Sequence, residues 1–233
     1  QRCSALRVLC VQDDIAERVI EMLKGGLKEL NIGRPHDLDV DVGPVIDAEA
    51  QQRLLEYIER KRSVAAKVTQ LEIPSDINAN GTYVAPTILE LKNLGDLTQE
   101  VFGPVLHVVR FKAGELDQLI AHINEQNYAL THGIHSRIDG QIEYIASRIE
   151  AGNVYVNRNI VGAVVGVQPF GGHHQSGTGP KAGGPFYLQR MTTLNPWRLP
   201  LGSEVGQPNV DAQALASSLN ISSDEALAWQ AHV

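Results

Sequence analysis

Short segments rich in Val and Leu alternate with amphipathic segments from Ala5 to Asn157. The apolar segments have the length and composition of buried strands, and the segments between them repeat apolar residues at helical spacing. A strand–helix–strand order requires crossover connections, which join parallel strands. The pattern therefore predicts an α/β fold with a mainly parallel sheet flanked by helices.

The predicted strands are Ala5–Gln12, Lys67–Ile73, Gly81–Ile88, Pro104–Lys112, Gly133–Ser136 and Val154–Asn157. The predicted helices are Asp14–Leu30, Ile46–Arg62, a third marked by Leu116, Leu119, Ile120 and Ile123, and a fourth marked by Ile142, Ile145 and Ile149. Asp13 and Asp14 offer an N-cap for the first helix, whereas Gly25 and Gly26 weaken its second half.

The segment Val161–Pro185 differs from everything before it, because it holds eight glycines. That density of Gly and Pro predicts neither helix nor sheet, and a loop of this length inside a compact domain is usually functional. After Pro200 the composition shifts to small and polar residues. We therefore expect one domain over residues 1–200 and a tail of unknown role over residues 201–233, with Ser222–Glu225 able to cap a short helix.

The bulk composition excludes several classes of function. A net charge of −7 argues against a nucleic-acid interface, and no apolar run is long enough for a membrane span. Hydrophobic residues make up 43% of the chain, which is enough for a core. The two cysteines form no disulfide framework, so a reducing, cytoplasmic compartment is expected.

The first five residues, Gln1–Ala5, place Cys3 in a polar setting just ahead of an apolar strand. Without an initiator Met, the chain is expected to be a piece of a longer protein. From its residues alone, Cys3 is more often a small apolar side chain, as Cys10 is predicted to be. The alternative is a nucleophile, since Arg2 and Ser4 supply the polar surroundings that a thiolate needs. A cysteine protease would also need a paired histidine, which nothing in the sequence places.

Two motifs in the glycine-rich segment suggest functions that their context does not support. Gly177–Ala182 fits a dinucleotide fingerprint, but Pro180 and the following Gly–Gly–Pro forbid the helix that this motif requires. The pair His173–His174 could bind a metal, yet adjacent side chains diverge and no cluster of Cys or acidic residues accompanies them. A solvated loop is the better interpretation, and no metal is predicted.

The segment Glu100–Pro104 puts a carboxylate and an aromatic ring two residues apart before a strong strand. One interpretation is an ordinary turn into the strand, with Phe102 in the core. The other is a ligand clamp, in which the carboxylate binds hydroxyls and the ring packs on a flat group. The residues by themselves favour the turn.

Together these motifs resemble the aldehyde dehydrogenase superfamily. The opening QRCSA is similar to the catalytic cysteine motif of that family. Its other motifs follow in the family's order as DVGPVI, TYVAPTI, EVFGPV, LTHGIHSR, GNVYVNR and QPFGGHHQSGTG. The resemblance covers about residues 1–190 and implies the catalytic domain of that fold, without the NAD-binding domain.

The glycine-rich segment narrows the resemblance. VGAVVGVQPFGG and SGTGPKAGGP are similar to the glutamate-semialdehyde (1-pyrroline-5-carboxylate) dehydrogenases, and the second stretch to the C-terminal dehydrogenase of bifunctional proline utilisation A proteins. This implies oxidation of L-glutamate γ-semialdehyde to L-glutamate with NAD⁺, the second step of proline breakdown. A dehydrogenase for another aldehyde stays open, as does an inactive remnant with only an assembly role.

The resemblance implies a role for each unusual residue. The Cys3 thiolate would attack the aldehyde carbon to give a thiohemiacetal and then a thioester. The Glu100 carboxylate would bind ribose hydroxyls of NAD, with Phe102 packing nearby.

Four further residues would hold the substrate. The Ser4 hydroxyl and the backbone N–H groups of Gly162 and Ala163 would bind the α-carboxylate, and Phe170 would pack on the aliphatic part. Glycine suits such a position because no Cβ keeps an anion away from the backbone.

The resemblance also implies partners that these residues do not supply. In the family, the NAD-binding domain, the glutamate that activates water and the asparagine of the oxyanion hole all precede the cysteine. This chain alone is therefore expected to show no NAD-dependent turnover. The family often forms homo-oligomers through a β-flap, for which Gln189–Asn195 is the candidate strand.

Overall fold

The computed structural model describes residues 1–78, 80–164 and 166–192. The chain divides into two compact units, Gln1–Leu188 and Gln189–Val233, and the second is described only over residues 189–192. The tail predicted over residues 201–233 and its capped helix lie outside the described residues.

The elements follow one another as β1 Val8–Gln12, α1 Asp13–Lys28, α2 Ala48–Arg62, β2 Lys67–Gln70, α3 Ser75–Asn78, β3 Thr87–Leu91, β4 Val105–Phe111, α4 Leu116–Glu125, β5 Tyr128–Ala129, β6 Thr131–Ile134, α5 Asp139–Ala146, β7 Asn153–Val156, β8 His173–His174 and α6 Tyr187–Met191. Two 3₁₀ turns, Leu94–Asp96 and Ala113–Glu115, precede β4 and α4.

The main sheet has the strand order β1-β4-β3-β2. β4 pairs in parallel with β1 on one side and with β3 on the other, and β2 joins β3 antiparallel at the edge. The predicted α/β class with a mainly parallel sheet flanked by helices is confirmed. Because β1 and β4 are parallel, their N-terminal ends lie at the same edge of the sheet. The segments that lead into these two strands therefore reach the sheet side by side.

Each face of this sheet buries one set of apolar side chains. On one face, α1 packs Ala16 and Ile20 against Ile88 and Val108. On the other face, α2 packs its apolar side against Leu89 of β3 and Val109 of β4. These residues follow Ile88 and Val108 directly in the chain, so their side chains point to the opposite face of the sheet. The period of two along β3 and β4 thus divides one sheet between two helical layers.

The helix starts follow the local sequence. The Asp47 carboxylate caps α2 by accepting the backbone N–H of Ala50 at 2.7 Å. Asp13 and Asp14 lie inside the first turn of α1, so the predicted cap is wrong, although both carboxylates still favour the positive end of the helix. Helix α1 continues through Gly25 and Gly26, because its packed apolar face outweighs the low helix propensity of glycine.

Three predicted elements need correction. The strand expected over Gly81–Ile88 begins only at Thr87, since Pro86 has no N–H to donate and Thr82 pairs with Val45 outside the sheet. The predicted absence of sheet in Val161–Pro185 is wrong at β8, a two-residue strand that pairs with β5. A strand of two residues can form beside glycines because it needs hydrogen bonds to β5 alone.

The strand proposed over Gln189–Asn195 is also wrong where the structure describes it. Gln189, Arg190 and Met191 belong to α6, in keeping with their good helix propensity. Thr193–Asn195 lie outside the described residues. In the described part of the chain, no helix has both the length and the apolar character needed to cross a membrane.

Candidate active site

Cys3 lies at the tip of a tight turn that leads into β1. The turn is closed by the N–H of Ala5, which donates to the carbonyl of Arg2 at 3.0 Å. The Cys3 thiol is exposed and free. Among the described residues, the N–H groups of Cys3 and Ser4 have no hydrogen-bond acceptor, so both remain available to an oxygen atom that approaches the thiol.

The neighbouring side chain turns inward. Ser4 is 2% exposed, and its hydroxyl accepts the N–H of Gly162 at 2.7 Å. Gly162 has a φ of +65°, a backbone conformation that glycine adopts without strain. This bond brings the glycine-rich segment to the residue beside Cys3, as the resemblance implied.

Two buried residues of β7 hold the glycine-rich segment in place. Asn153 and Tyr155 are two positions apart, so they point to the same face of the strand. The Asn153 amide donates to the carbonyl of Pro169 at 2.9 Å and accepts the N–H of Gly171 at 3.3 Å. The Tyr155 hydroxyl donates to the carbonyl of Gly162 at 2.7 Å.

Neither β7 residue was predicted to take part in the site. The signal was present in GNVYVNR, where Asn and Tyr alternate with Val in a predicted strand. Buried amides and phenols need hydrogen-bond partners, and a segment poor in side chains offers mainly backbone groups.

The other predicted substrate residues lie along the same segment. Phe170 is half-buried, and its backbone exchanges two hydrogen bonds of 2.9 Å with Ala182, which fixes the segment on the other side. Ala163 is half-buried, and its N–H has no acceptor among the described residues. Ser4 is thus hydrogen-bonded directly to Gly162. Asn153 of β7 holds Phe170 in place by bonding to the residues on either side of it.

Glu100 and Phe102 lie on the segment that enters β4, and both point outward. Phe102 is 49% exposed, so the interpretation that places it in the core is wrong. Val101 between them packs against the core instead. Because β1 and β4 are parallel neighbours, the Cys3 turn and this outward pair precede the same sheet edge. Within the described residues, no hydrogen bond joins the Cys3 turn to Glu100 or Phe102.

A buried polar pair lies behind the cysteine turn. His107 of β4 receives a hydrogen bond from the Tyr57 hydroxyl at 2.8 Å, and its Nδ1 donates to the carbonyl of Arg7 at 2.9 Å. A carbonyl can only accept, so His107 is the neutral Nδ1–H tautomer. Burial lowers the pKa of His107 to about 4 and raises the pKa of Tyr57 to about 12.

The remaining thiol is of a different kind. Cys10 lies within β1 and packs against the core, as predicted, and burial raises its pKa to about 11. Both thiols are free. Of the two thiols, only that of Cys3 belongs to an exposed residue.

No hydrogen bond joins the histidine pair to Cys3, Ser4 or Gly162 within the described residues. His173 and His174 are exposed in β8, and His174 Nε2 lies 2.8 Å from a carboxylate oxygen of Glu150. A cavity of about 430 Å³ opens beside them and does not include Cys3. In the described ranges, no three His, Cys, Asp or Glu residues are grouped as a metal site would need.

The arrangement can do one kind of chemistry well. An exposed thiol beside free backbone N–H groups can add to a carbonyl and stabilise the resulting oxyanion. The N–H of Ala163 can bind an anionic group of the same molecule. The outward carboxylate and ring of Glu100 and Phe102 suit a ligand that carries hydroxyls and a flat ring, so these residues fit the nicotinamide half of NAD.

Comparison with known proteins identifies the family of this chain. The profile of the aldehyde dehydrogenase family matches residues 1–195. The bifunctional protein PutA of Salmonella typhimurium is 52% identical over 200 residues, which cover 84% of this chain and 15% of that protein. The chain thus spans about a sixth of the length of that relative.

Solved structures give the same relationship. A mutant of Bradyrhizobium japonicum Proline Utilization A (PutA) matches with a TM-score of 0.78 at 54% identity, covering 83% of this chain and 19% of that one. The 1-pyrroline-5-carboxylate dehydrogenase from Thermus with bound NAD matches with a TM-score of 0.72 at 34% identity, covering 81% and 36%.

Proposed function

The chain belongs to the aldehyde dehydrogenase family, and from this we propose that it supplies the catalytic-cysteine part of an L-glutamate γ-semialdehyde dehydrogenase. The product would be L-glutamate, formed with NAD⁺ in the second step of proline breakdown. The names of the similar proteins support this substrate, and the observation that carries it is the bond between Ser4 and Gly162.

This bond matters because it fixes the proposed carboxylate site at Gly162 and Ala163 close to the nucleophile Cys3. Ser4 follows the nucleophile directly, so an aldehyde carbon at Cys3 leaves the rest of a short substrate over Gly162 and Ala163. A carboxylate there could take the free N–H of Ala163 and compete with the Ser4 hydroxyl for that of Gly162. Phe170 would pack on the methylene groups between the two ends.

Cys3 acts as the nucleophile in this proposal. Its thiolate adds to the aldehyde carbon. The new oxyanion accepts a hydrogen bond from the backbone N–H of Cys3 or Ser4 in the cysteine turn. A nicotinamide cofactor held by Glu100 and Phe102 would supply the acceptor for the hydride that the thiohemiacetal carbon loses. The thioester on Cys3 is then hydrolysed, which releases L-glutamate and restores the thiol.

Glu100 and Phe102 are proposed to hold the cofactor. The Glu100 carboxylate can accept two ribose hydroxyls, and the exposed ring of Phe102 can pack beside the nicotinamide half. Both residues precede β4, at the sheet edge from which the Cys3 turn enters β1.

The length of the relatives suggests how the activity is completed. The match covers only 15% of the Salmonella protein and 36% of the Thermus one, so we propose that this chain acts with an N-terminal NAD-binding domain, in a protein that can form homo-oligomers. We call this combination the full-length dehydrogenase. A reducing, cytoplasmic compartment is proposed because a catalytic thiol must stay reduced.

The test is an assay of NADH formation by the full-length dehydrogenase with two aldehydes, L-glutamate γ-semialdehyde and propanal. We expect a kcat/KM about 10²-fold higher for the semialdehyde, because only that substrate uses the carboxylate site. Cys3→Ser should abolish turnover, whereas Cys10→Ser should retain it. Equal kcat/KM values would favour a dehydrogenase for another aldehyde, and turnover by Cys3→Ser would reject the mechanism.

A further inference from the structure

One phenol hydroxyl makes contact with the glycine-rich segment at two points. Tyr155 donates to the carbonyl of Gly162 at 2.7 Å and accepts Nε2–H of Gln168 at 3.3 Å. Tyr155 is 7% exposed and lies in β7, which is paired with β6. The hydroxyl therefore ties a segment without regular structure to a rigid strand.

The bond to Gly162 determines where the next N–H points. The carbonyl of Gly162 and the N–H of Ala163 belong to one peptide plane, and in a trans peptide they point in opposite directions. Holding the carbonyl against Tyr155 turns the Ala163 N–H away from β7. The Ala163 N–H has no acceptor among the described residues, so it is available to a ligand.

A Cβ added at Gly162 would meet no atom within 4 Å, so no packing contact holds the backbone from that side. Two hydrogen bonds fix it instead, from the Gly162 N–H to Ser4 and from Tyr155 to the Gly162 carbonyl. When a substrate carboxylate replaces Ser4 at the N–H, Tyr155 remains as the fixed contact.

We infer that Tyr155 is a positioning residue for the carboxylate end of the substrate and acts through the peptide between Gly162 and Ala163. The inference rests on the proposed function, since it needs a substrate with an α-carboxylate. An aldehyde that lacks this group does not use the Ala163 N–H, so its oxidation should not depend on the Tyr155 hydroxyl.

The experiment compares Tyr155→Phe with the wild-type full-length dehydrogenase on L-glutamate γ-semialdehyde and propanal. Loss of one buried hydrogen bond should raise KM for the semialdehyde about ten-fold and leave its kcat within about two-fold. The Kd of L-glutamate should rise by a similar factor, and the propanal kinetics should not change. Tyr144→Phe is the matched control, because its hydroxyl bonds to Asp117 on the surface.

A second variant covers the case in which Tyr155→Phe does not fold. Gln168→Met removes the donor to the Tyr155 hydroxyl and should give a smaller loss with the same dependence on the carboxylate. Equal losses for both aldehydes, or no loss for either, would overturn the inference. If the wild-type enzyme shows no preference for the semialdehyde, the proposed function fails too; if it does and the Tyr155 and Gln168 variants keep the preference, only the positioning role fails.

Discussion

At the scale of single residues, the environment separates groups of identical chemistry. Cys3 and Cys10 are both free thiols, yet one is exposed at a turn and the other packs against the core of the sheet. Burial raises the pKa of Cys10 to about 11, because a thiolate loses its hydration there. Only an accessible thiol can react with a dissolved aldehyde, so this difference favours Cys3 as the proposed nucleophile.

This difference predicts the order of alkylation. With iodoacetamide at pH 7, we expect Cys3 to react at least about 10²-fold faster than Cys10, because the thiolate is the reactive form and Cys10 is both protonated and shielded. Peptide mass spectrometry over time measures both rates. Cys10→Ser should leave the Cys3 rate unchanged, and unfolding in urea should expose Cys10. Equally slow labelling of both would favour the inactive remnant.

At the scale of elements, hydrogen bonds join β4 and α2 to the segment that leads from the Cys3 turn into β1. His107 of β4 bonds to the Arg7 carbonyl just before β1 through both its backbone N–H and its ring, and Tyr57 of α2 bonds to the other ring nitrogen. These bonds connect three elements beneath the cysteine turn. They require a neutral ring, because a protonated His107 could not accept the Tyr57 hydroxyl.

The ring therefore makes stability depend on pH. Burial, opposed by the bond to Arg7 and aided by the charges of Arg7 and Lys61, lowers the pKa of His107 from 6.5 to about 4. Between these values the unfolded chain binds the proton more tightly, so the contribution is complete above pH 6.5 and is lost as pH falls towards 4. We expect the free energy of unfolding in urea to fall by about 2 kcal/mol from pH 7.5 to pH 5.

The variant His107→Gln should show a smaller decrease over the same pH range. His132, whose pKa is also lowered by burial, should leave part of the dependence in place. The exposed His122 gives the control, since His122→Gln should retain the full decrease. An unchanged decrease in His107→Gln would show that the linkage lies elsewhere.

At the scale of the whole molecule, the proposed nucleophile Cys3 and the glycine-rich segment both lie within the unit Gln1–Leu188. The family profile covers residues 1–195, whereas the Thermus relative is matched over 36% of its length. The proposed enzyme is therefore longer than this chain, and Glu100 and Phe102 are only the part of the proposed NAD site that lies in it.

The chain on its own is thus expected to show no NAD-dependent turnover, while it keeps the fast alkylation of Cys3. Calorimetry with NAD⁺ and absorbance at 340 nm with the semialdehyde measure the two parts of this prediction, and the full-length dehydrogenase is the positive control. Tight NAD⁺ binding with steady NADH production by the chain alone would contradict it.

The amino-acid sequence was sufficient for the α/β class, for most helices and strands to within a few residues, and for the motifs around Cys3 and Gly162. These features depend on local periodicity and turn chemistry, which act between near neighbours in the chain. The sequence did not show that Phe102 is half exposed, because apolar character alone does not say which side of a segment faces the core.

The resemblance placed Ser4 and Gly162 at one carboxylate, but only the tertiary structure shows the hydrogen bond between these residues, 158 positions apart, and the contacts by which Asn153 and Tyr155 hold the glycine-rich segment. A segment rich in glycine has little conformational preference of its own, so its path is decided by the strand that satisfies its backbone groups. That choice depends on how distant elements pack, which no local pattern records.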